Sequence, residues 1–189
     1  MNAVKCALFA IALTAAAVPV AAQVTGFEGA QFVKAIKDGK SDDAVKLLQA
    51  TPSLVNARDM SGETALLAAI ENRDHEWTGY LLQQGADPNM AGSNGETPLI
   101  AAARAGYPEA ADWLIGLGAR VDETNRAGET ALIIAVQRRQ VPIVRSLLNA
   151  GANPDKTDSV AGYSARDYAK RDSRTPQILK LIEAKKPAP

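Results

Sequence analysis

The residue types that most often carry chemistry are sparse in this chain of 189 residues, which has one histidine and one cysteine. His75 lies between Asp74 and Glu76, and neighbours in sequence do not orient an imidazole as a catalytic triad does. A single histidine with no cysteine near it does not make a usual zinc site. We therefore interpret His75 as a solvated surface residue and predict a non-enzymatic protein without a metal or cofactor.

The paired carboxylates and the glycines do not indicate a catalytic or a phosphate-binding site either. The pairs Asp42-Asp43 and Asp122-Glu123 fit helix starts and loop tips better than a general acid and base. The glycines do not follow the spacing of phosphate-binding loops. We predict that these residues serve the fold and have no catalytic role.

Aromatic and arginine side chains leave two interpretations open. Trp77 and Tyr80 are three residues apart, which places them on one face of a helix, and Trp113 recurs in the next unit. Packing is favoured over ligand binding for these rings. The pair Arg138-Arg139 fits either an anion-binding site or a solvated helix end, and solvation is favoured.

The elements that position these side chains repeat every 33 residues. Such a fixed period indicates a stack of similar supersecondary units. The positions in register are Gly62, Gly95 and Gly128; Gly85, Gly118 and Gly151; Thr64, Thr97 and Thr130; Leu66, Leu99 and Leu132; and Leu81, Leu114 and Leu147.

Each unit reads as a helix-turn-helix. A glycine opens a turn, and the threonine two residues later can cap a first helix with its hydroxyl. Pro108 and Pro142 suit the first turn of a second helix, and a glycine ends that helix. The link to the next unit, such as residues 86–93, is predicted to form a hairpin-like finger. Because neither helix buries its apolar face alone, the units must stack.

These motifs resemble the ankyrin-repeat family. Gly95, Thr97, Pro98 and Leu99 match the family pattern G-x-T-P-L-H, and Gly118 matches the end of its second helix. The resemblance covers residues 27–185 and implies an all-α solenoid with β-hairpin-like fingers. The family histidine is replaced by Leu67, Ile100 and Ile133, which predicts a drier contact between repeats.

The resemblance implies one domain of five units after an export signal. We divide residues 23–189 into an N-terminal cap (27–58), three full repeats (59–91, 92–124 and 125–157) and a C-terminal cap (158–185). The end caps are degenerate, and Pro176 is expected to begin the last helix.

The start of the chain has the pattern of a secretory signal peptide. Lys5 precedes an apolar run over residues 7–18, and small residues follow it. We predict a signal peptide over residues 1–22 with cleavage after Ala22, and an uncleaved anchor is the alternative. The single cysteine, Cys6, lies inside this segment, so the exported protein has no disulfide. A bacterial periplasm, or secretion, is expected.

Charge limits the class of partner. The chain has 21 basic and 21 acidic side chains, so it has no general attraction for nucleic acid or for an anionic membrane. Residues 23–105 hold 7 basic and 11 acidic side chains, whereas residues 106–189 hold 13 and 10. The N-terminal half is therefore acidic and the C-terminal half basic.

The family resemblance implies protein binding through the concave surface that the fingers and first helices form. Within this chain the positions that vary between copies lie at the finger tips and at the ends of first helices. The candidate partner-binding residues are Met60, Ser61, Glu63, Glu71, Asn72, Ser93, Asn94, Glu96, Arg104, Arg126, Glu129, Gln137 and Arg138. Glu63, Glu96 and Glu129 recur at one register position, which leaves a structural role open for them.

We therefore predict a monomeric module that binds a protein partner of unknown identity. No membrane insertion is expected after the signal is cleaved. A small-ligand-binding protein or an enzyme that uses the concave groove is the alternative, and so is an adaptor that joins two envelope proteins.

Overall fold

Ten α-helices follow one another along the part of the chain that the computed structural model describes, residues 26–184. The predicted signal peptide and its cleavage site lie outside the described residues. The helices form five pairs: α1 Gly26–Lys37 and α2 Ser41–Ala50; α3 Ala65–Glu71 and α4 His75–Gln83; α5 Pro98–Ala105 and α6 Pro108–Gly116; α7 Ala131–Gln137 and α8 Val141–Asn149; and α9 Ala165–Arg171 and α10 Pro176–Ala184. A short 3-10 helix, Pro52–Asn56, follows α2.

The start of each full-repeat first helix is fixed by the predicted threonine cap. The hydroxyl oxygens of Thr64, Thr97 and Thr130 each accept a hydrogen bond of 3.2 Å from a backbone N–H three residues later. In the last unit Ser164 replaces threonine and forms a capping box with Asp167. Because these hydroxyls satisfy N–H groups that have no partner within the helix, a short helix can begin at a defined residue.

The core is a continuous apolar layer between two rows of helices. The inward residues of the first helices are almost all buried, including Leu66, Leu99 and Leu132. Alanines at positions such as Ala69 and Ala102 are also fully buried. These small side chains let neighbouring helices approach closely, and the first helices contact one another more extensively than the second helices do. The stack therefore curves towards the first helices, which lie on its concave side.

Hairpin-like fingers join the units, as predicted, but the turn of the second finger lies at residues 92–96 and not within residues 86–93. The finger turns are residues 59–63, 92–96, 125–129 and 158–163, and in the first of them the Asp59 N–H donates to the Glu63 carbonyl at 2.9 Å. The β-type pairing that the described residues show consists of three isolated bridges, one of them between Arg58 and Thr64. The fold is thus the predicted all-α repeat with finger loops.

The expectation of a dry contact between repeats is correct only for the first helices. Leu67, Ile100 and Ile133 are buried in place of the family histidine. The repeats are nevertheless linked by polar side chains elsewhere. Asn56 accepts a hydrogen bond from the Asp87 N–H at 2.8 Å, and Asn89 accepts one from the Arg120 N–H at the same distance. Polar links between neighbouring units therefore lie in the loop after the second helix.

Candidate partner-binding surface

The finger tips carry exposed side chains of the concave face. Met60 is 97% exposed, and Ser93, Asn94 and Arg126 are also exposed. The backbone beneath Asn94 and Arg126 is fixed, because the Arg126 N–H donates to the Asn94 carbonyl at 3.0 Å. The third and fourth fingers are joined in the same way, by the Ser159 N–H and the Ala127 carbonyl at 2.9 Å. The last three fingers therefore hold their outward side chains at a defined spacing.

A side chain at the first position shapes the turn in the first, third and fourth fingers, whereas the second finger begins with Gly92. The Asp59 carboxylate accepts from the N–H groups of Ser61 and Glu63 at 2.9 and 3.0 Å, and its Oδ1 also accepts from the Ser61 hydroxyl at 2.6 Å. Asn125 accepts from Ala127 and Glu129 in the corresponding finger. The predicted site residue Ser61 thus has a partner within its own turn while remaining exposed.

Glu96, Arg104 and Glu129 form one ionic row across the concave face. Arg104 Nε donates to Glu96 Oε1 at 2.7 Å, and Arg104 Nη2 lies 3.7 Å from Glu129 Oε2. Asn125 Nδ2 also donates to Glu129 Oε2, at 2.8 Å. The structural role left open for the glutamate column is therefore observed at Glu96 and Glu129, which connect two neighbouring repeats through Arg104.

A second ionic cluster was not expected from the sequence. Lys37, at the end of α1, lies 2.9 Å from Asp59 Oδ2 and 2.5 Å from Glu63 Oε2. Partial burial opposes ionisation of Asp59, but hydrogen bonds from Ser61 and Lys37 outweigh it and lower its pKa to about 2. Burial also lowers the pKa of Lys37, and the bonds to Glu63 and Asp59 raise it overall. The cluster therefore holds the N-terminal cap against the first full repeat.

The end of α3 forms one wall of a shallow acidic groove. A cavity of about 140 Å³ is lined by Ser61, Glu63, Leu67, Glu71, Gly92, Ser93, Asn94 and Glu96. Burial of the carboxylate raises the pKa of Glu71, and the charges of Glu63 and Glu96 raise it further. Asn72 is exposed beside it. The structure thus brings six of the predicted residues around one groove.

The remaining two predicted residues lie at the end of α7. Gln137 and Arg138 are exposed, and the structure shows no ion pair for Arg138 within residues 26–184. Arg138 directly follows the last residue of α7, the first helix of its unit. This position is open to a partner from solvent.

The aromatic side chains pack mainly between helices, as favoured from the sequence. Trp77 is buried, its ring lies 5.5 Å from that of Tyr80, and its Nε1 donates to Ser41 Oγ at 3.1 Å. His75 is exposed as predicted, but it is not simply solvated. Its ring centroid lies 4.7 Å from that of Trp113, and its Nδ1 lies 3.2 Å from the Tyr107 hydroxyl.

Residues 26–184 contain neither a candidate metal site nor a candidate membrane span. No group of three or more histidine, cysteine, aspartate and glutamate side chains there is placed to hold a metal ion. No helix in this range is long and apolar enough to cross a membrane.

Comparison with known families identifies the family to which this stack of helices belongs. A family model described as ankyrin repeats in three copies matches residues 32–125 and again residues 79–158, which together span more than half of the chain. The chain belongs to the ankyrin-repeat family. A search of curated proteins found no match to this ankyrin-repeat chain. Ankyrin repeats generally mediate protein–protein interaction and are typically non-enzymatic, so a protein partner is the expected ligand.

Sequence reasoning missed the residues that connect one ankyrin repeat to the next. Asn56 and Asn89 are 33 residues apart, and Asp122 continues the column by accepting from the Asn153 N–H at 2.9 Å. This 33-residue spacing was the feature of the sequence from which the link between repeats could have been predicted. No comparable signal marks Lys37, because the N-terminal cap lacks the repeat motif.

Proposed function

We propose that this chain is a non-enzymatic module, exported to the bacterial periplasm, that binds a protein partner through its concave face. One observation carries the proposal. Exposed side chains that differ between repeats, among them Asn94 and Arg126, project from fingers whose backbones are hydrogen-bonded to one another, and Met60 is exposed at the tip of the first finger. Because the fingers are ordered before binding, little conformational entropy is lost when a partner docks.

Export is supported by the pattern of residues 1–22, and the lack of cysteine after Cys6 fits a bacterial periplasm better than a eukaryotic extracellular space. A small exported domain without disulfides depends on apolar packing, which the continuous core of this stack supplies. We propose cleavage after Ala22 and a monomeric exported protein. The mass of the N-terminal peptide of the purified protein tests the cleavage, because the proposal requires Gln23 as the first residue.

Capture of the partner tests the concave face. The full chain is expressed in the source organism with a C-terminal tag, and proteins retained after cross-linking are identified by mass spectrometry. The test variant is Arg126→Glu with Arg138→Glu, since both side chains are exposed and neither has an ion pair within residues 26–184. Arg104→Glu is unsuitable, because it would place a third carboxylate between Glu96 and Glu129.

A matched variant distinguishes the loss of a specific binding surface from the effect of a change in net charge. Arg145→Glu with Lys180→Glu makes the same change in charge on the second helices α8 and α10, where both residues are exposed. We expect the wild type and this control to retain the same protein and the concave variant to lose it. Loss from both variants, or from neither, would contradict binding through the concave face.

A further inference from the structure

A basic cavity lies at the C-terminal end of the concave face. It has a volume of about 230 Å³ and lies between the ends of the first helices α7 and α9. Its lining residues are Val136, Gln137, Arg139, Tyr168, Arg171, Asp172 and Arg174. The cavity thus joins the last full repeat to the C-terminal cap.

The cavity holds three guanidinium groups and one carboxylate. Both oxygens of that carboxylate are already used: Asp172 Oδ2 accepts from Arg139 Nε at 2.6 Å, and Oδ1 accepts from Arg174 Nε at 3.3 Å and from the Arg174 backbone N–H at 3.0 Å. The structure shows no acceptor for the Nη groups of either arginine within residues 26–184. Each guanidinium therefore keeps donors available for a second acceptor.

The third guanidinium is oriented by an aromatic ring. The guanidinium carbon of Arg171 lies 4.1 Å from the ring centroid of Tyr163. Stacking of this kind restrains the planar group and leaves its N–H donors pointing outward around its edge. Arg171 thus contributes a restrained positive charge, and no carboxylate of the described residues forms an ion pair with it.

The carboxylate of Asp158, near the cavity, has its hydrogen-bond partners in its own finger and in Tyr168. Tyr168 donates its hydroxyl proton to Asp158 Oδ2 at 2.7 Å. Asp158 Oδ1 accepts from three backbone N–H groups, those of residues 160–162, and the side chain is buried. Its charge is therefore stabilised behind the tyrosine, and the open part of the cavity stays positive.

The backbone places the Arg139 side chain against the next unit. Arg139 has φ of +57°, a left-handed conformation, and the equivalent positions in the two preceding repeats, Arg73 and Gly106, have φ of +53° and +67°. The conformation therefore belongs to this position after the first helix. From there the Arg139 guanidinium bonds to Asp172 of the next unit, 33 residues further on.

We propose that this arginine cavity binds a carboxylate side chain in an acidic segment of the protein partner. The inference rests on the proposed function and adds the chemical class of the segment. Guanidinium groups match the planar carboxylate through paired N–H donors, which makes such contacts both oriented and strong. The basic charge of residues 106–189 would attract the same segment from a distance.

Binding of a defined acidic peptide tests this inference directly. The probe is a fluorescein-labelled peptide of glutamates, and a glutamine peptide of equal length is the neutral control. Fluorescence anisotropy is measured at low salt with the full chain. The cavity variant is Arg171→Gln with Arg174→Gln, which leaves the Arg139–Asp172 pair in place. The charge-matched control is Arg145→Gln with Lys180→Gln, on the second helices.

We expect the wild type to bind the glutamate peptide and not the glutamine peptide. The cavity variant should bind about tenfold more weakly, and the charge-matched control should change by less than about twofold. Equal weakening in both variants would show general charge attraction and would overturn the inference. No binding by the wild type would overturn it as well.

The two proposals fail in different ways. A wild-type chain that captures its partner through the fingers but does not bind the glutamate peptide overturns the arginine cavity alone. A chain that binds the peptide but captures no protein overturns the proposed function.

Discussion

At the scale of single residues, the concave face is built from charges that first stabilise the stack. Lys37 bonds to Asp59 and Glu63, and Arg104 lies between two glutamates of neighbouring repeats. Partly exposed pairs of this kind contribute little each, but together they order the surface that a partner would meet. The side chains left for a partner are therefore the finger tips and the helix ends.

Asp59 gives the clearest dependence of stability on pH. Its pKa is lowered from 3.8 to about 2 in the folded chain, so it binds fewer protons there than when unfolded. Its stabilisation is present above about pH 4 and is lost as the pH falls towards 2. We expect Asp59→Asn to lower the free energy of unfolding by about 1–2 kcal/mol at pH 7 and by much less at pH 2. Urea unfolding at both pH values measures this.

The exposed carboxyl of Asp112, on α6, supplies the control for that measurement. Asp112→Asn should leave the free energy of unfolding within about 0.5 kcal/mol at either pH. A loss for Asp59→Asn that is equal at pH 7 and pH 2 would mean that its charge has no part in the effect.

Arg73 tests the backbone conformation at the end of α3. It has φ of +53°, and no ion pair of the described residues involves it. The left-handed conformation costs about 1–2 kcal/mol for a non-glycine residue, and glycine loses about 0.5–1 kcal/mol through its freer unfolded state. Arg73→Gly should therefore stabilise the chain by about 0.5–1 kcal/mol in urea unfolding.

The reverse change at the equivalent position is the matched comparison. Gly106 has φ of +67°, and an added Cβ would lie 2.5 Å from Gln140 Nε2. Gly106→Ala should therefore destabilise the chain. If the two substitutions changed stability in the same direction, this account of the helix ends would be wrong.

At the scale of elements, the period predicted which helices form, and their caps confirmed where they begin. The threonine caps, the positions of Pro108 and Pro176, and the hairpin-like fingers all followed from residues within one unit. The contacts between units could not be predicted in the same way. Arg104 lies 3.7 Å from Glu129 of the next unit, 25 residues further on, a separation that the 33-residue period does not select. Such pairs depend on how closely neighbouring helices pack.

The asparagine column is the element-scale feature with the most direct energetic consequence. Asn89 accepts from the Arg120 N–H at 2.8 Å and donates to the Gly118 carbonyl at 3.3 Å, so it ties one repeat to the next. Asn89→Ala leaves both backbone groups without their partner. We expect a loss of about 1–2 kcal/mol in the free energy of unfolding.

Asn149→Ala, at the exposed end of α8, is the control for the asparagine column. It should change the free energy of unfolding by less than about 0.5 kcal/mol. Equal effects of the two substitutions would contradict a specific link through Asn89.

At the scale of the whole molecule, the stack is one continuous core with a charge gradient along it. The acidic groove is lined by residues of the first two fingers, and the arginine cavity lies at the last interface between units. The gradient was visible in the sequence, because it depends only on composition. The location of each cavity was not, because a cavity forms where side chains of different units meet.

The central claim is that a partner docks on the concave face, and hydrogen–deuterium exchange of the full chain with and without the captured protein tests it most directly. We predict slower exchange in the finger turns 59–63, 92–96 and 125–129 and at the ends of α3, α5 and α7, with no change in α4, α6 and α8. Slower exchange confined to the second helices would contradict the claim.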